Sequence, residues 1–131
     1  MVEVVRTYRD LKVWQKSCDL VTDVYKLSNK LPKEELYGLT SQLRRAVISV
    51  PSNIAEGHAR KSTKEFINFL SITSGSLAEV ETQLILSVNL KYLLENDVMP
   101  IKNKIIEIEK ILFSLKKSLK QKLANTINIP S

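Results

Sequence analysis

Apolar residues recur along this chain at alternating steps of three and four, which places them on one face of an α-helix. The pattern is clearest near the end of the chain, where one stripe comprises Val98, Ile101, Ile105, Ile108, Leu112, Leu115 and Leu119. Three earlier segments repeat it, over residues 11–25, 36–50 and 66–84. Four stripes of this length predict four long helices that pack at shallow angles.

Capping and breaking residues set the predicted helix boundaries. Pro32 separates the first two helices, and Gly57 is expected to end the second in a left-handed conformation. Ser62 and Glu65 have the spacing of a capping box at the start of the third helix. Asp97 is expected to cap the fourth. The predicted helices cover residues near 10–30, 34–57, 62–94 and 97–123, and the tail 124–131 is expected to fray.

The length and turn residues of the chain support one all-α domain. Long helices with short connections predict an antiparallel up-down-up-down four-helix bundle over residues 1–131. Three glycines and four prolines are too few for the many turns of an all-β domain. Pro51 lies inside the second predicted helix and is expected to kink it.

The chain carries more apolar stripes than one bundle core needs. The second stripe of the fourth helix lies about 130° from its main stripe, and the first helix also has an extra stripe. We expect these stripes to form a homo-oligomer interface, and the alternative is a wide core with some exposed apolar residues. The predicted interface residues are Met99, Ile106 and Phe113 in the fourth helix and Leu20, Val24 and Leu27 in the first.

The net charge of +6 is unevenly distributed. In the predicted topology, residues 1–16, 53–68 and 113–131 meet at one end with eleven basic and four acidic residues, a net charge of +7. Residues 25–40 and 88–103 give the other end only +1. A basic end suits phosphate groups, although lysines there also favour the helix dipole and solubility. The candidate RNA contacts are Arg60, Lys61, Lys64, Lys116, Lys117 and Lys120.

Two adjacent arginines lie in the middle of the second predicted helix, away from the basic end. We expect Arg44 and Arg45 to form a structural ion-pair network with Asp19 and Glu79. The alternative is that the two arginines contact RNA.

The residues that carry enzyme chemistry are sparse. One cysteine, Cys18, lies on a predicted buried stripe, and one histidine, His58, is expected in a surface loop, so neither predicts a zinc site. Glu79 and Glu81 are two residues apart and cannot share a helix face. We therefore expect a protein that is not an enzyme and needs no metal or cofactor. Without a signal peptide or long apolar run, we also expect a cytoplasmic protein without membrane contact.

Four segments resemble the four-helix-bundle proteins encoded in intervening sequences of bacterial 23S rRNA genes, a family sometimes labelled a ribosomal protein. They are the sequences DLKVWQK at 10–16, YGLTSQLRRA at 37–46, VPSNIAEG at 50–57 and GSLAEVETQL at 75–84. The resemblance spans residues 8–120 and implies an antiparallel bundle that assembles as a homopentamer. One departure is Ala59, where the family has glycine, which affects the turn after the second helix.

That family is similar to the accessory variability determinant of diversity-generating retroelements, a basic pentamer that works with a reverse transcriptase and RNA. The leading hypothesis is therefore a non-enzymatic, RNA-associated homo-oligomer that binds structured 23S ribosomal RNA through the basic end. The alternative is a scaffold for other proteins, such as an accessory subunit of a reverse transcriptase, that does not contact RNA.

Overall fold

A computed structural model describes residues 7–127 of the chain, and these residues form an all-α four-helix bundle with no strand. The helices are α1 Lys12–Ser28, α2 Leu39–Ala59, α3 Thr63–Asn89 and α4 Glu95–Ile127. Short 3-10 helices, Tyr8–Asp10 and Lys33–Glu35, precede α1 and α2. Both α1 and α3 pack against α2 and α4, so the four helices surround one core. The predicted four-helix bundle is confirmed.

The helix ends differ from the predictions in several places, and α2 begins at Leu39 instead of near residue 34. Residues 124–127, which were expected to fray, are the last turn of α4, while residues 128–131 lie outside the described part. A further difference concerns α3, which ends at Asn89, earlier than predicted. Lys91 follows it with a φ of 65°, and its N–H donates to the Val88 carbonyl at 2.9 Å. A left-handed residue of this kind satisfies free carbonyls at a helix end.

Gly57 has a different role from the predicted helix stop. It lies inside α2, and no described glycine has a positive φ. A Cβ at Gly57 would lie 2.5 Å from Phe69 Cβ and 3.1 Å from Phe66 Cδ1. Because glycine has no Cβ, the buried backbone of α2 can lie directly against these two side chains of α3.

Pro51 lies inside α2 as predicted, and it cannot donate a hydrogen bond to the Val47 carbonyl. Ser52 Oγ donates to the carbonyl four residues before it at 2.9 Å, and Asn53 Nδ2 does the same at 2.8 Å. These side chains add bonds to the two carbonyls that follow that of Val47.

The core includes side chains from all four helices. The largest fully buried side chains are Leu20, Leu43, Ile54, Leu70, Leu77, Leu84, Ile108 and Leu112. Helix α1 contributes Leu20 and Val24, which are fully buried, and Leu27, which is 8% exposed. The prediction that these three residues face a second copy is therefore corrected, because they already pack inside the protomer.

Two serines are buried on the core face of α1, and their polar side chains made this face look less apolar in the sequence than it is in the structure. Ser17 Oγ donates to the Val13 carbonyl at 2.6 Å, and Ser28 Oγ donates to the Tyr25 carbonyl at 2.7 Å. Hydroxyls that are satisfied by their own helix can be buried at little cost. The stripe that the sequence predicts as the core face, which includes Tyr25, is half-buried next to the true core face of α1.

Glu35 links the α1–α2 connection to the α3–α4 connection, which lie at the same end of the bundle. Its Oε1 accepts the N–H of Leu39 at 3.1 Å, and its Oε2 accepts the Tyr92 hydroxyl at 3.0 Å. The bond to this carboxylate is the main reason why the pKa of Tyr92 is raised. A Cβ at Gly38 would lie 2.8 Å from Glu35 Oε1, so glycine there leaves room for the carboxylate.

Asp97 bonds at the start of α4 and joins this helix to the α1–α2 connection. Its Oδ2 accepts the N–H of Leu94 at 2.9 Å, and its Oδ1 pairs with Lys30 Nζ at 3.0 Å. The backbone bond first, and then Lys30, hold the pKa of Asp97 below its usual range. Asp97 does bond at the start of α4, but as the third residue of the helix and not at the predicted capping position, because α4 begins two residues earlier than expected.

We predict opposite effects for two glycine-to-alanine substitutions. Gly57→Ala should lower the free energy of unfolding by about 1–3 kcal/mol, because the new methyl group overlaps the Phe69 side chain. Gly75→Ala is the matched control, since a Cβ there meets nothing within 4 Å, and should raise stability by up to about 1 kcal/mol. Urea denaturation measures both, and a stabilised Gly57→Ala protein would contradict the close approach of α2 and α3.

We predict that Asp97→Asn lowers the melting temperature at pH 7 because it removes the charge that pairs with Lys30. A carboxylate with a depressed folded-state pKa stabilises the protein above its unfolded pKa, about 3.9, and loses this effect as pH falls through the folded value. The difference from the parent should therefore shrink below about pH 4. Glu34→Gln is the control, because this exposed carboxylate forms no ion pair within residues 7–127. A difference that is constant with pH would refute the role of the charge.

Candidate nucleic-acid interface

One part of the basic end is the tight turn between α2 and α3. Helix α2 ends at Ala59 and α3 begins at Thr63, so the turn consists of residues 60–62. Ser62 Oγ accepts the N–H of Glu65 at 3.1 Å. This is the bond that the Ser62 side chain makes in the predicted capping box, and it is confirmed.

The two basic residues of this turn, Arg60 and Lys61, and Lys64 in the first turn of α3 differ in their partners. Arg60 donates to Glu56 Oε1 at 2.9 Å, and its guanidinium carbon lies 5.2 Å from the Phe69 ring centroid. Lys61 and Lys64 are exposed, and neither forms an ion pair within residues 7–127. Arg60 is thus held in place, whereas the two lysines are available to a ligand.

The other part of the basic end is the last third of α4. Ser74 Oγ on α3 donates to Glu109 on α4 at 3.4 Å. Counting along antiparallel helices from this contact, at about 1.5 Å per residue, brings the first turn of α3 within about one turn of Lys117 and Lys120. Leu115 packs on the edge of the core, while these two lysines are exposed.

The structure therefore brings the six candidate residues to one end of the bundle in two groups. Arg60 and Lys61 lie in the α2–α3 turn and Lys64 in the first turn of α3, while Lys116, Lys117 and Lys120 lie on α4. In the described part of the chain, Lys61, Lys64, Lys117 and Lys120 are exposed and have no ion pair. We call these four residues the lysine cluster. Their unpaired charges give this end a positive field.

Arg44 and Arg45 do not form the predicted ion-pair network. Among residues 7–127, no ion pair includes either arginine, Asp19 or Glu79. Arg44 instead joins α2 to the end of α1, where it donates to Ser28 Oγ at 2.9 Å and to Asn29 Oδ1 at 3.1 Å. Asp19 lies on the opposite side of α1, in a small cleft against α4. This separation follows from the burial of the Leu20 and Val24 face of α1, which leaves Asp19 beside α4.

Arg45 and Glu79 line an open groove between α2 and α3, which we call the α2–α3 groove. Its volume is about 530 Å³, and its other lining residues are Gln42, Ala46, Ser49, Ser76 and Gln83. The sequence analysis did not single out Ser76 and Gln83. Their spacing of seven beside the apolar stripe of α3 is the signal that could have identified them.

The extra stripe on α4 is exposed, as its spacing predicted. Met99 is 42% exposed, Ile106 50% and Phe113 68%. Ile106 and Phe113 line a groove of about 790 Å³ between α3 and α4, which we call the α3–α4 groove. Burial raises the pKa of Glu109 in this groove, although the Lys116 charge opposes the shift. The groove is thus apolar with a partly buried carboxylate.

Cys18 and His58, the single cysteine and histidine of the chain, both pack against other parts of the protein. Cys18 is half-buried, and burial raises the pKa of its thiol, which disfavours the nucleophilic thiolate. His58 lies in the last turn of α2 rather than in the predicted loop, and its ring meets the Phe66 ring edge-on at 5.5 Å.

Over the described residues, no group of three or more His, Cys, Asp or Glu side chains could hold a metal ion. In the same range, none of the helices has an apolar stretch long enough to cross a bilayer.

The fold and sequence match one protein family. The family model described as 23S rRNA-intervening sequence protein matches residues 9–114. The chain is also similar to a crystal structure of a protein with unknown function from the S23 ribosomal protein family of Bacteroides thetaiotaomicron VPI-5482. The TM-score is 0.74 at 28% identity, over 80% of this chain and 98% of that chain. No curated protein matches the chain. Since the family model covers α1, α2, α3 and more than half of α4, the chain belongs to the 23S rRNA-intervening sequence protein family.

Proposed function

We propose that this protein is a non-enzymatic, RNA-associated protein that binds structured RNA, with 23S ribosomal RNA as its target, through the basic end. The family description supports the RNA class. The observation that carries the proposal is the lysine cluster, in which four exposed and unpaired charges from two separate segments lie at the same end. Lysine charges neutralise phosphates and release bound counterions.

The surroundings of the lysine cluster favour contact with the RNA backbone. Phe66 and Phe69 are half-buried against Gly57, His58 and Arg60, so they pack within the protein. Stacking on single-stranded bases requires exposed aromatic faces. Two groups of cations on rigid helices suit the fixed phosphate positions of a folded or double-helical RNA.

We predict that reversing three lysines, Lys61→Glu, Lys64→Glu and Lys117→Glu, weakens binding to 23S rRNA fragments and reduces its salt dependence. If each lysine neutralises one phosphate, the slope of log affinity against log salt should become shallower by about 2–3. Filter binding at several salt concentrations measures both the affinity and the slope.

The matched control changes the same net charge at the other end of the bundle. Lys26, Lys33 and Lys91 are exposed and form no ion pair within residues 7–127, so reversing them to glutamate should leave most of the affinity. Equal losses in the two triple variants would show that only net charge matters. Absence of binding at low salt, or binding unaffected by the first triple variant, would rule out the proposal.

We propose in addition that the protein is a homo-oligomer whose copies meet through the exposed stripe of α4. The support is the exposure of Ile106 and Phe113 next to the α3–α4 groove, since a soluble monomer seldom exposes a continuous apolar face. The resemblance described above implies five subunits.

We predict that Phe113→Asp shifts the protein to a smaller assembly, because a carboxylate would be desolvated in the interface. Tyr37→Asp is the control, since Tyr37 is 94% exposed but lies in the α1–α2 connection. Sedimentation velocity at micromolar concentration gives the mass. A monomeric parent protein, or a Phe113→Asp protein of parental mass, would contradict self-association through this stripe.

A protein scaffold is the second candidate function, and the α3–α4 groove is the observation that favours it. Its apolar walls and half-buried Glu109 suit a partner protein with apolar and basic side chains. An accessory subunit of a reverse transcriptase would be of this type. A protein that assembles normally but binds no RNA at low salt would favour this candidate.

A further inference from the structure

Helix α3 carries an exposed row that neither the lysine cluster nor the exposed stripe of α4 includes. Ile72 is 45% exposed and Leu86 is 44% exposed, and each lies seven residues from the exposed Glu79. A step of seven residues changes the direction of a helical side chain by only about 20°, so the three side chains lie in one line. We call Ile72, Glu79 and Leu86 the α3 row.

The α3 row and the exposed stripe of α4 lie on neighbouring sides of the bundle. Glu79 lines the α2–α3 groove, whereas Ile106 and Phe113 line the α3–α4 groove. One copy of the chain therefore presents both surfaces at the same time. A contact that joins one surface to the other repeats from copy to copy, since each copy contributes a different surface to each of its two neighbours.

The packing of α3 on α4 relates the heights of residues on the two helices. The contact between Ser74 and Glu109 places an α3 residue and an α4 residue at one height when their numbers add up to about 183. The ends of the α3–α4 connection, Asn89 and Glu95, agree with this relation to within one residue. The heights of the two surfaces can therefore be compared directly.

The apolar residues of the two surfaces lie at matching heights. Phe113 is level with Ile72, and Met99 is level with Leu86, each to within two residues or about 3 Å. A rotation about an axis parallel to the helices leaves every height unchanged. Such a rotation brings the α4 stripe of one copy onto the α3 row of the next without a shift along the bundle.

The charges of the two surfaces are complementary. Lys110, which lies between Ile106 and Phe113, is exposed like Glu79, and neither forms an ion pair within residues 7–127. The two residues differ in height by about six residues, or about 9 Å. Each side chain leans toward the N-terminus of its own helix, and in antiparallel helices this turns the two side chains toward each other.

Contact of the α4 stripe with itself lacks this complementarity. It would bring Lys110 and Lys117 of both copies into one apolar surface, where like charges repel. On the α3 row Lys110 meets a carboxylate instead. Arg45, the other charged residue of the α2–α3 groove, lies on α2 and outside the α3 row.

We propose that the α3 row is the surface on which a second copy of this chain docks the exposed stripe of its α4, an inference that rests on the proposed self-association. Ile72 and Leu86 cover the apolar residues of that stripe, and Glu79 pairs with Lys110. The contact is head-to-tail, so it builds a ring if the rotation closes and a chain of copies if it does not.

Mixing two variants tests the head-to-tail contact. Phe113→Asp damages the α4 stripe, and Leu86→Lys damages the α3 row by adding a cation where the lysines of α4 dock. Each protein alone should sediment as a monomer of 14.9 kDa. An equimolar mixture should contain a dimer, because the intact α4 stripe of the Leu86→Lys chain meets the intact α3 row of the Phe113→Asp chain. Nothing larger should form, since the dimer has a damaged surface at each end.

Thr82→Lys is the matched control for Leu86→Lys. Thr82 is exposed on α3 and lines neither groove, so this protein should keep the parental mass. Formation of the dimer in the mixture also shows that both surface variants are folded.

Exchange of the two charges gives a second measurement. Glu79→Lys and Lys110→Glu should each weaken association about tenfold, and the double variant should regain most of it, as close charge pairs across an interface do. Lys110→Glu lowers the positive net charge of the chain, so a weaker association of this variant cannot come from overall repulsion. Sedimentation velocity over a range of concentrations gives the association constants.

The outcomes separate this inference from the proposed self-association. A Leu86→Lys protein of parental mass, or two monomeric variants that form no dimer when mixed, would overturn docking on the α3 row. Both results are compatible with self-association through α4. A Phe113→Asp protein of parental mass would instead refute the proposed self-association itself.

Discussion

The close packing of α2 on α3 at Gly57 is the constraint on which both candidate sites depend. The buried backbone of Gly57 lies against Phe66 and Phe69, and any Cβ there would overlap them. This contact sets the separation of the two helices where they join, and so determines where the turn carries Lys61. Further along the same pair of helices, where polar side chains replace the aromatic rings, the α2–α3 groove opens.

Much of the fold could be predicted because helical periodicity and capping are local properties. The four helices, the Ser62 cap and the bond of Asp97 at the start of α4 follow from residues a few positions apart. The core face of α1 could not be chosen in this way. Two neighbouring stripes are both apolar, and the one that contains Ser17 can be buried because its hydroxyl bonds within the helix.

The candidate site was predictable to the extent that it depends on connectivity. In an antiparallel bundle the α2–α3 turn and the end of α4 lie at the same end, so the six basic candidates could be grouped from the sequence. Which of these basic residues form ion pairs could not be predicted from the sequence. Arg60 is neutralised by Glu56, while Lys61 has no such partner in the described chain, and only side-chain geometry distinguishes them. The Glu35–Tyr92 bond joins residues far apart in sequence and had no local signal.

By itself the sequence determined four amphipathic helices, their order and the excess of positive charge at one end, because spacing and chain direction are enough to specify these. The tertiary structure decided which apolar stripe of α1 is buried and which arginine joins helices. It also decided that Arg45 and Glu79 line one groove, while Asp19 lies beside α4. These outcomes depend on the rotation of each helix about its own axis, and that rotation is set by packing against two neighbouring helices at once.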